Sequence, residues 1–130
     1  MDATKKLEKI RYHMIAPVVS VESNWPIQKA IRHMFKHKVH SLLIKEKDEY
    51  VGIVTESDLI FKVLLEDINR ETAPIKAIMA PAPYTMDAEK TLGQAVAYMR
   101  GKNIRHLPVT EEKKIIGMLS VRDLITYFAK

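Results

Sequence analysis

Apolar side chains recur along this chain in short groups whose spacing predicts alternating strands and helices. After a short N-terminal helix, a β-branched run at 18–21 predicts a first strand. The next group has the spacing of one helical face: Ile27, Ala30, Ile31, Met34 and Phe35. The β-rich runs Val39–Ile44 and Tyr50–Val54 flank a charged turn, Lys45–Glu49, and predict a hairpin. A final group predicts a closing helix: Leu59, Ile60, Val63 and Leu64.

The second half of the chain repeats this order of elements. Its helical face is formed by Leu92, Ala95, Val96 and Met99. Gly101 stands where a left-handed cap is expected to end that helix. The runs Ile104–Val109 and Ile115–Leu119 flank the charged turn Thr110–Lys114 and predict a second hairpin. A last group predicts a second closing helix: Leu124, Ile125 and Phe128.

The two halves are also related residue by residue at an offset of 65 positions, without a gap from Ile10/Ile75 to Val63/Phe128. Within this repeat Gly52–Asp58 recurs as Gly117–Asp123. A long period that occurs only twice predicts two pseudo-symmetric modules rather than a solenoid. A 60-residue unit buries only roughly 60% of its unfolded surface, so we expect the halves to share a core. We predict an α+β fold with a first module at 1–66, including the N-terminal helix, a connector at 67–73 and a second module at 74–130.

Composition narrows the class of protein. Hydrophobic residues make up 47% of the chain and charged residues 28%, both ordinary for a globular protein. There is no cysteine, no apolar leader at the N-terminus and no apolar run near the ~20 residues that span a bilayer. We therefore expect a soluble cytoplasmic protein without a membrane partner. The net charge of +5 favours anionic ligands, either polyanions or small phosphorylated molecules, although the basic residues are scattered as on a solvated surface.

Four features occur in the same order in each half: a leading methionine, an Ala-x-x-x-Met helix, an apolar hairpin strand, and a junction Gly-φ-φ-[Ser/Thr]-x-x-Asp in which φ is apolar. Their positions are Met14 and Met79, Ala30/Met34 and Ala95/Met99, Val39–Ile44 and Ile104–Val109, and Gly52–Asp58 and Gly117–Asp123. From about Ile10 to Phe128 the chain therefore resembles a tandem pair of CBS domains, the arrangement called a Bateman module.

The resemblance implies two β-α-β-β-α modules packed through their sheets, with a cleft on each side for an adenosyl nucleotide. Members of the family bind AMP, ADP, ATP, S-adenosylmethionine or related ligands, and most are sensors attached to enzymes or transporters. This chain shows no attached effector domain, so we expect a free-standing regulatory module that signals through an effector protein or through its own homodimer. The resemblance implies no catalysis and no required cofactor, with an adenine nucleotide as the ligand.

The junctions Thr55/Asp58 and Ser120/Asp123 carry the most specific chemistry. A carboxylate accepts hydrogen bonds from the two hydroxyls of a ribose, while a nearby hydroxyl and the free N–H groups of a helix N-terminus can bind phosphate. The same spacing also forms a capping box, although Asp is shorter than the Glu or Gln that a capping box favours. We predict nucleotide contact at both junctions, and helix capping remains compatible with it.

The resemblance places further ligand contacts around these junctions. Basic and polar side chains of the equivalent hairpin strands are expected to meet phosphates: His40, Ser41, Arg105 and His106. Arg122, next to Asp123, is a further candidate, and its counterpart Ser57 carries no charge, so the two clefts are expected to be unequal. The first strands contribute Val19, Ser20, Tyr84 and Thr85.

Trp25 departs from the family pattern, in which a small hydroxyl residue is common. Its repeat counterpart is Lys90. Three interpretations remain open from the sequence: stacking on adenine, filling and blocking the cleft, or packing on Pro26 at the surface.

The sequence shows no arrangement of residues typical of an enzyme. His33 and His37 are spaced i, i+4 like a zinc pair, but no third ligand accompanies them, and a solvated helix surface is the expectation, with no metal site. Two alternatives to a nucleotide sensor are a basic nucleic-acid-binding protein and a structural dimer with vestigial clefts. The apolar surface of the closing helices exceeds what one face against a sheet absorbs, which predicts a two-fold homodimer forming a flat disc of four modules.

Overall fold

The computed structural model describes residues 3–81 and 84–130, which form two compact units. The first-repeat unit comprises residues 19–83, and the second-repeat unit combines residues 1–18 with residues 84–130. The helices are α1 (Ala3–Lys6), α2 (Ile27–His37), α3 (Glu56–Asp58), α4 (Leu92–Lys102) and α5 (Val121–Phe128). The strands are β1 (Ser20–Glu22), β2 (Ser41–Glu46), β3 (Glu49–Thr55), β4 (Met86–Asp87), β5 (His106–Glu111) and β6 (Lys114–Ser120). Short 3₁₀ turns lie at Ile10–Tyr12 and Ile75–Ala77.

Each unit contains one three-stranded mixed sheet. In the order β1-β2-β3, β1 is parallel to β2 and β2 is antiparallel to β3. The sheet β4-β5-β6 repeats this pattern, and both hairpins carry a register shift at the equivalent step, Ile44/Lys45 and Val109/Thr110. The predicted α+β class and the β-α-β-β-α order of each module are confirmed.

The hairpin loops are shorter than the sequence analysis predicted. Lys47 and Asp48 form a two-residue loop with φ of 52° and 64°, and Glu112 and Lys113 form the other with φ of 50° and 68°. Positive φ at both positions is the geometry of a type I′ turn, whose twist matches that of the flanking strands. The outer charged residues of each predicted turn therefore belong to the strands.

The helices α2 and α4 end at equivalent positions. Lys38 and Asn103 adopt left-handed conformations, with φ of 53° and 55°, and their N–H groups bond to carbonyls of the last turn. The prediction that Gly101 forms the cap is wrong, because α4 continues through Lys102. Asn tolerates the left-handed region better than most residues, so Asn103 can end the helix without a glycine.

The closing helix of the first-repeat unit departs from regular α geometry. After α3, residues Leu59–Leu64 form a π-helical segment in which, for example, Leu65 N–H donates to the Ile60 carbonyl at 3.4 Å. Val63 is buried, whereas Ile60 and Leu64 are exposed at 50% and 66%. The wider turn therefore buries only part of the apolar face that the sequence predicted.

Most of the buried apolar side chains form two clusters, one in each unit, and the core expected to be shared by the halves stays a prediction. The halves are nevertheless interdependent, since each repeat's leading segment packs in the other repeat's unit. Ile75 and Ile78 are fully buried in the first-repeat unit, and Ile10 is fully buried in the second-repeat unit. The boundaries 1–66, 67–73 and 74–130 divide the chain into its two repeated modules and a connector, and they stay a prediction. The compact units divide the chain differently, after residues 18 and 83.

The leading segments are attached to the sheets by backbone pairing and by one side chain each. Ile53 and Ala80 exchange two N–H···O bonds of 2.8 and 2.9 Å, and Ile15 and Met118 do the same in the other unit. Beside these bridges, the thioether of Met79 lies over Gly52 and that of Met14 lies over Gly117. A Cβ atom at either glycine would overlap the methionine, which gives a physical reason for the repeated Met and Gly.

Exposed ion pairs further attach the N-terminal segment to the second-repeat unit. Glu89 accepts from Lys9 at 2.8 Å and from Arg11 at 2.7 Å, and Arg11 also binds Glu111. Hydrogen bonds from Lys9 and Arg11 lower the pKa of Glu89 and raise the pKa of both cations. Tyr127 of α5 donates to Glu8, which extends this attachment to the closing helix.

In the described parts of the chain, no helix has both the length and the apolar character needed to cross a bilayer.

A glycine comparison tests the Met–Gly contact. Gly52→Ala should lower the free energy of unfolding by about 1–3 kcal/mol, because the new methyl group meets both the Met79 side chain and the Ala80 carbonyl oxygen at 2.9 Å. Gly101→Ala is the matched control: it has open space around it and lies inside α4, so it should stabilise the protein by about 0.5–1 kcal/mol. Urea unfolding measures both, and equal effects of the two variants would contradict the contact.

Candidate functional site

The predicted site residues Thr55 and Asp58 lie at the junction where β3 passes into α3. The Thr55 N–H donates to Asp58 Oδ2 at 2.9 Å, and the Thr55 hydroxyl donates to the same oxygen at 3.3 Å. The carboxylate therefore folds back over the start of the helix. Both bonds of a capping box are formed here, although Asp is shorter than the Glu or Gln that a capping box favours.

The equivalent junction joins β6 to α5 through Ser120 and Asp123. The Ser120 hydroxyl donates to Asp123 Oδ2 at 2.8 Å and accepts from the Asp123 N–H at 3.1 Å. The hydroxyl thus caps the helix, and the carboxylate is oriented by one side-chain hydrogen bond. Helix capping and exposure to a ligand are compatible at this junction, since Asp123 is only half-buried.

The predicted phosphate contacts His40 and Arg105 lie immediately before β2 and β5, not inside those strands. Their carbonyls accept from the first N–H of each closing helix, Glu56 N–H at 3.3 Å and Val121 N–H at 2.9 Å. This corrects two expectations. The strands begin at Ser41 and His106, two residues later than predicted, because the carbonyls of the preceding residues bond to a helix rather than to a strand. The first helical amide is therefore not available for a phosphate.

The remaining predicted phosphate contacts surround the same junctions. Ser41 is buried at the start of β2, whereas its counterpart His106 is half-buried at the start of β5. Arg122 is exposed in the first turn of α5. Backbone pairing places Ser41 opposite Thr55 and His106 opposite Ser120, so each candidate of the strand is adjacent to the junction hydroxyl.

Charged side chains distinguish the two junctions more than the fold does. In the first-repeat unit, His40 Nδ1 lies 3.0 Å from Glu56 Oε1, and Lys62 Nζ lies 3.0 Å from Asp58 Oδ1. The repeat counterparts of Glu56 and Lys62 are Val121 and Tyr127, so neither pair recurs. Within the described ranges, no ion pair involves Arg105 or Asp123.

Glu56 and Lys62 were missed by the sequence analysis. The spacing of Asp58 and Lys62 is i, i+4, which places opposite charges on one face of a helix and is visible in the sequence. An exposed pair of this kind contributes little, so spacing alone does not single it out. Here the Asp58 side chain is only 14% exposed, which makes the pair part of the site.

The first-strand candidates lie at the edge of each sheet. The Val19 carbonyl accepts from the Leu43 N–H at 3.1 Å, and Ser20 opens β1. Tyr84 contacts Tyr98 edge-on, with ring centroids 6.1 Å apart, and its neighbour Thr85 is exposed just before β4. Ser20 and Thr85 are thus equivalent in sequence but only Ser20 lies within a strand.

Trp25 lies against α2 and packs on the core of the first-repeat unit. Its ring meets His33 edge-on at 5.3 Å between centroids, and Lys29 Nζ lies 3.9 Å from its centroid. The sequence left three interpretations of Trp25 open, and the side chain here contacts His33 and Lys29 of the helix that follows it. Whether it contacts a ligand stays a prediction.

His33 and His37 contact each other, with ring centroids 4.3 Å apart. Burial of His33 and the nearby charges of His37, Lys36 and Lys29 lower its pKa. In residues 3–81 and 84–130, no group of three or more His, Cys, Asp or Glu side chains is arranged to hold a metal ion.

Comparison with protein families gives two matches to the CBS domain, at residues 7–65 and 75–130. Protein MK0525 of Methanopyrus kandleri is 30% identical over 77% of this chain, and the chain spans about half of that relative, 54% of its length. Several further relatives are CBS domain-containing proteins, among them YhcV of Bacillus subtilis.

Solved structures match the whole architecture. A conserved protein from Pyrococcus horikoshii superposes with a TM-score of 0.89 at 27% identity, covering 100% of this chain and 96% of that one. The CBS domain pair of protein MJ0100, in complex with 5′-methylthioadenosine and S-adenosyl-L-methionine, has a TM-score of 0.82 at 24% identity, covering 95% and 97% of the two chains. At that identity the second likeness establishes the fold alone.

Proposed function

The chain belongs to the CBS domain family as a pair of CBS domains, and from this premise we propose that it is a regulatory sensor that binds an adenosyl nucleotide and catalyses no reaction. The observation that carries the proposal is the repeated junction, in which a hydroxyl and an aspartate stand together at the start of a closing helix. The pair Ser120/Asp123 follows the pair Thr55/Asp58 at an offset of 65 residues, and each pair lies at the start of the closing helix of its unit.

The chemistry of the junction suits a nucleoside. Ribose presents two neighbouring hydroxyl groups that can donate hydrogen bonds, and an ionised carboxylate can only accept them. Phosphate requires donors or cations, which the second-repeat unit presents as the side chains of Arg105 and Arg122. A ligand with a sugar and a charged group a few ångströms apart therefore fits better than a ligand with only one of them.

The related pair from MJ0100 shows that this fold can hold adenosyl ligands, since it was crystallised with two of them. We propose AMP, ADP, ATP and S-adenosylmethionine as the candidate ligands of this chain. No cofactor is needed in the proposed role, and the signal would pass to an effector protein or through the chain's own homodimer.

Exposed apolar side chains support the dimer. Three large apolar side chains are exposed in the π-helical segment or just after it: Phe61 at 60%, Leu64 at 66% and Leu65 at 72%. Ile125 of α5 is exposed at 63%. Large apolar groups exposed together on a closing helix are typical of an interaction surface, and we propose a second copy of the chain as its occupant.

Thermal unfolding with and without AMP, ATP and S-adenosylmethionine tests the proposed function. Ligand at 100 times its dissociation constant should stabilise the folded protein by roughly 2.7 kcal/mol. No shift with any of the three would contradict the proposal, and steeply salt-dependent binding to DNA or RNA would instead support the nucleic-acid alternative.

Removing the proposed ribose contact should weaken binding. Asp123→Ala should reduce nucleotide affinity by about 1.5–3 kcal/mol, the range for hydrogen bonds to a charged group, while Ser120 still caps α5. Calorimetry of Asp123→Ala against Glu71→Ala, which removes an exposed carboxylate elsewhere, measures the effect. Equal affinity in the two variants would exclude Asp123 from the site.

Arg105 should recognise the phosphates. Arg105→Ala is expected to lose more affinity for ATP than for adenosine, because only the first ligand offers phosphate oxygens to a guanidinium. Arg100→Ala is a suitable control, since Arg100 is also exposed and lies on α4. Equal losses for ATP and adenosine would place Arg105 away from the phosphates.

Light scattering at micromolar concentration tests the dimer. The native chain should show about twice its 14.9 kDa mass, and Phe61→Glu should shift it toward the monomer because a charge in an apolar interface is costly. Leu7→Glu is the control, as Leu7 is a large apolar residue exposed at 74% that is not on a closing helix. A monomeric native chain that nucleotide does not change would remove the dimer and this route of signalling.

A further inference from the structure

We propose that the two nucleotide sites are unequal because the first-repeat site is closed by its own side chains, with Glu56 and Lys62 as the closing residues. The inference rests on the proposed function, since it concerns where the nucleotide binds. It assigns the ligand to the second-repeat junction in the native protein and predicts one bound nucleotide per chain.

The carboxylate that would hold the ribose is already engaged in the first-repeat unit. Both oxygens of Asp58 have partners: Oδ2 accepts from the Thr55 N–H and hydroxyl, and Oδ1 pairs with Lys62. A ribose hydroxyl would have to displace one of them. Because the Asp58 side chain is 14% exposed, little solvent is present to compensate for the lost charge pair.

Lys62 is held in place by a second contact, which makes the pair a fixed part of the unit. Its Nζ donates to the Ile78 carbonyl at 3.0 Å while it pairs with Asp58. Ile78 is itself fully buried in the core cluster. The lysine is thus held between the closing helix and the leading segment, and it does not swing away without losing both contacts.

The basic side of the first-repeat site carries an additional negative charge. Glu56 lies 3.0 Å from His40 Nδ1, and its side chain is 60% exposed. A phosphate that approached His40 would be repelled by this carboxylate, which already pairs with the imidazole Nδ1. Anion binding at His40 therefore requires Glu56 to move.

Neither obstacle is present in the second-repeat unit. Val121 replaces Glu56 beside Arg105, so no carboxylate from that position competes with a phosphate. Tyr127 replaces Lys62, and its hydroxyl donates to Glu8 rather than to Asp123. The only side-chain hydrogen bond of Asp123 within the described residues is the one from the Ser120 hydroxyl to Oδ2, so Oδ1 remains to accept from a ribose.

Calorimetric titration with AMP and with ATP measures the number of sites. The native chain should bind one nucleotide, with any second site weaker by about tenfold or more, since binding there would break two ion pairs. The double variant Glu56→Gln/Lys62→Met keeps the size of both side chains and removes both charges, so it should bind two. Lys76→Met, at an exposed lysine that is not part of the proposed site, is the matched control and should bind one.

The converse variant transfers the obstacle to the other unit. Val121→Glu should weaken nucleotide binding about tenfold by placing a carboxylate beside Arg105, and thermal unfolding without ligand shows whether the variant is folded. Two equal sites in the native chain, or one site in Glu56→Gln/Lys62→Met, would overturn this inference while leaving the proposed function intact. Absence of binding by every variant to both nucleotides would overturn both.

Discussion

The contact of a methionine thioether with a glycine in each sheet is the constraint on which much of this structure depends. Met79 over Gly52 and Met14 over Gly117 allow a leading segment to lie directly on the last strand of a hairpin, where backbone hydrogen bonds complete its attachment. A side chain at the glycine would overlap the methionine and press on the carbonyl oxygen of Ala80 or Ile15, which takes part in the bridge. Because the segment comes from the other repeat, this local packing requirement determines how the chain is divided into units.

Much of the fold follows from periodicity and from the repeat. The hairpins and the order of elements in both halves were predicted correctly, because burial of one face imposes a regular spacing of apolar residues. The helical faces were predicted only in part, since Phe35, Ile60, Leu64 and Ile125 are exposed. The helix ends, turn lengths and π-helical segment were not predicted. They depend on backbone conformations such as the left-handed Lys38 and Asn103, which polar residues adopt without a distinctive pattern.

The candidate site was predictable in outline and not in its electrostatics. The hydroxyl and aspartate of each junction stand out in the sequence, and the structure brings both pairs to the start of a closing helix. The ion pairs at the first junction were not predicted, because the sequence alone does not show that Glu56 contacts His40 or that Lys62 contacts Asp58. Two modules with one backbone therefore differ through residues outside the motif that defines them.

The division into units also has a consequence for the order of folding during synthesis. The first-repeat unit is continuous in the chain, whereas the second-repeat unit is assembled from residues 1–18 and 84–130 on either side of it. On the ribosome, the first unit can close its core once residues up to Ile78 have emerged, while Ile10 must wait for the strands that bury it. Residues 3–18, which hold α1 and the 3₁₀ turn with Ile10, thus have no sheet to pack against until residues 84–130 have been translated, and chaperones would meet them in that interval.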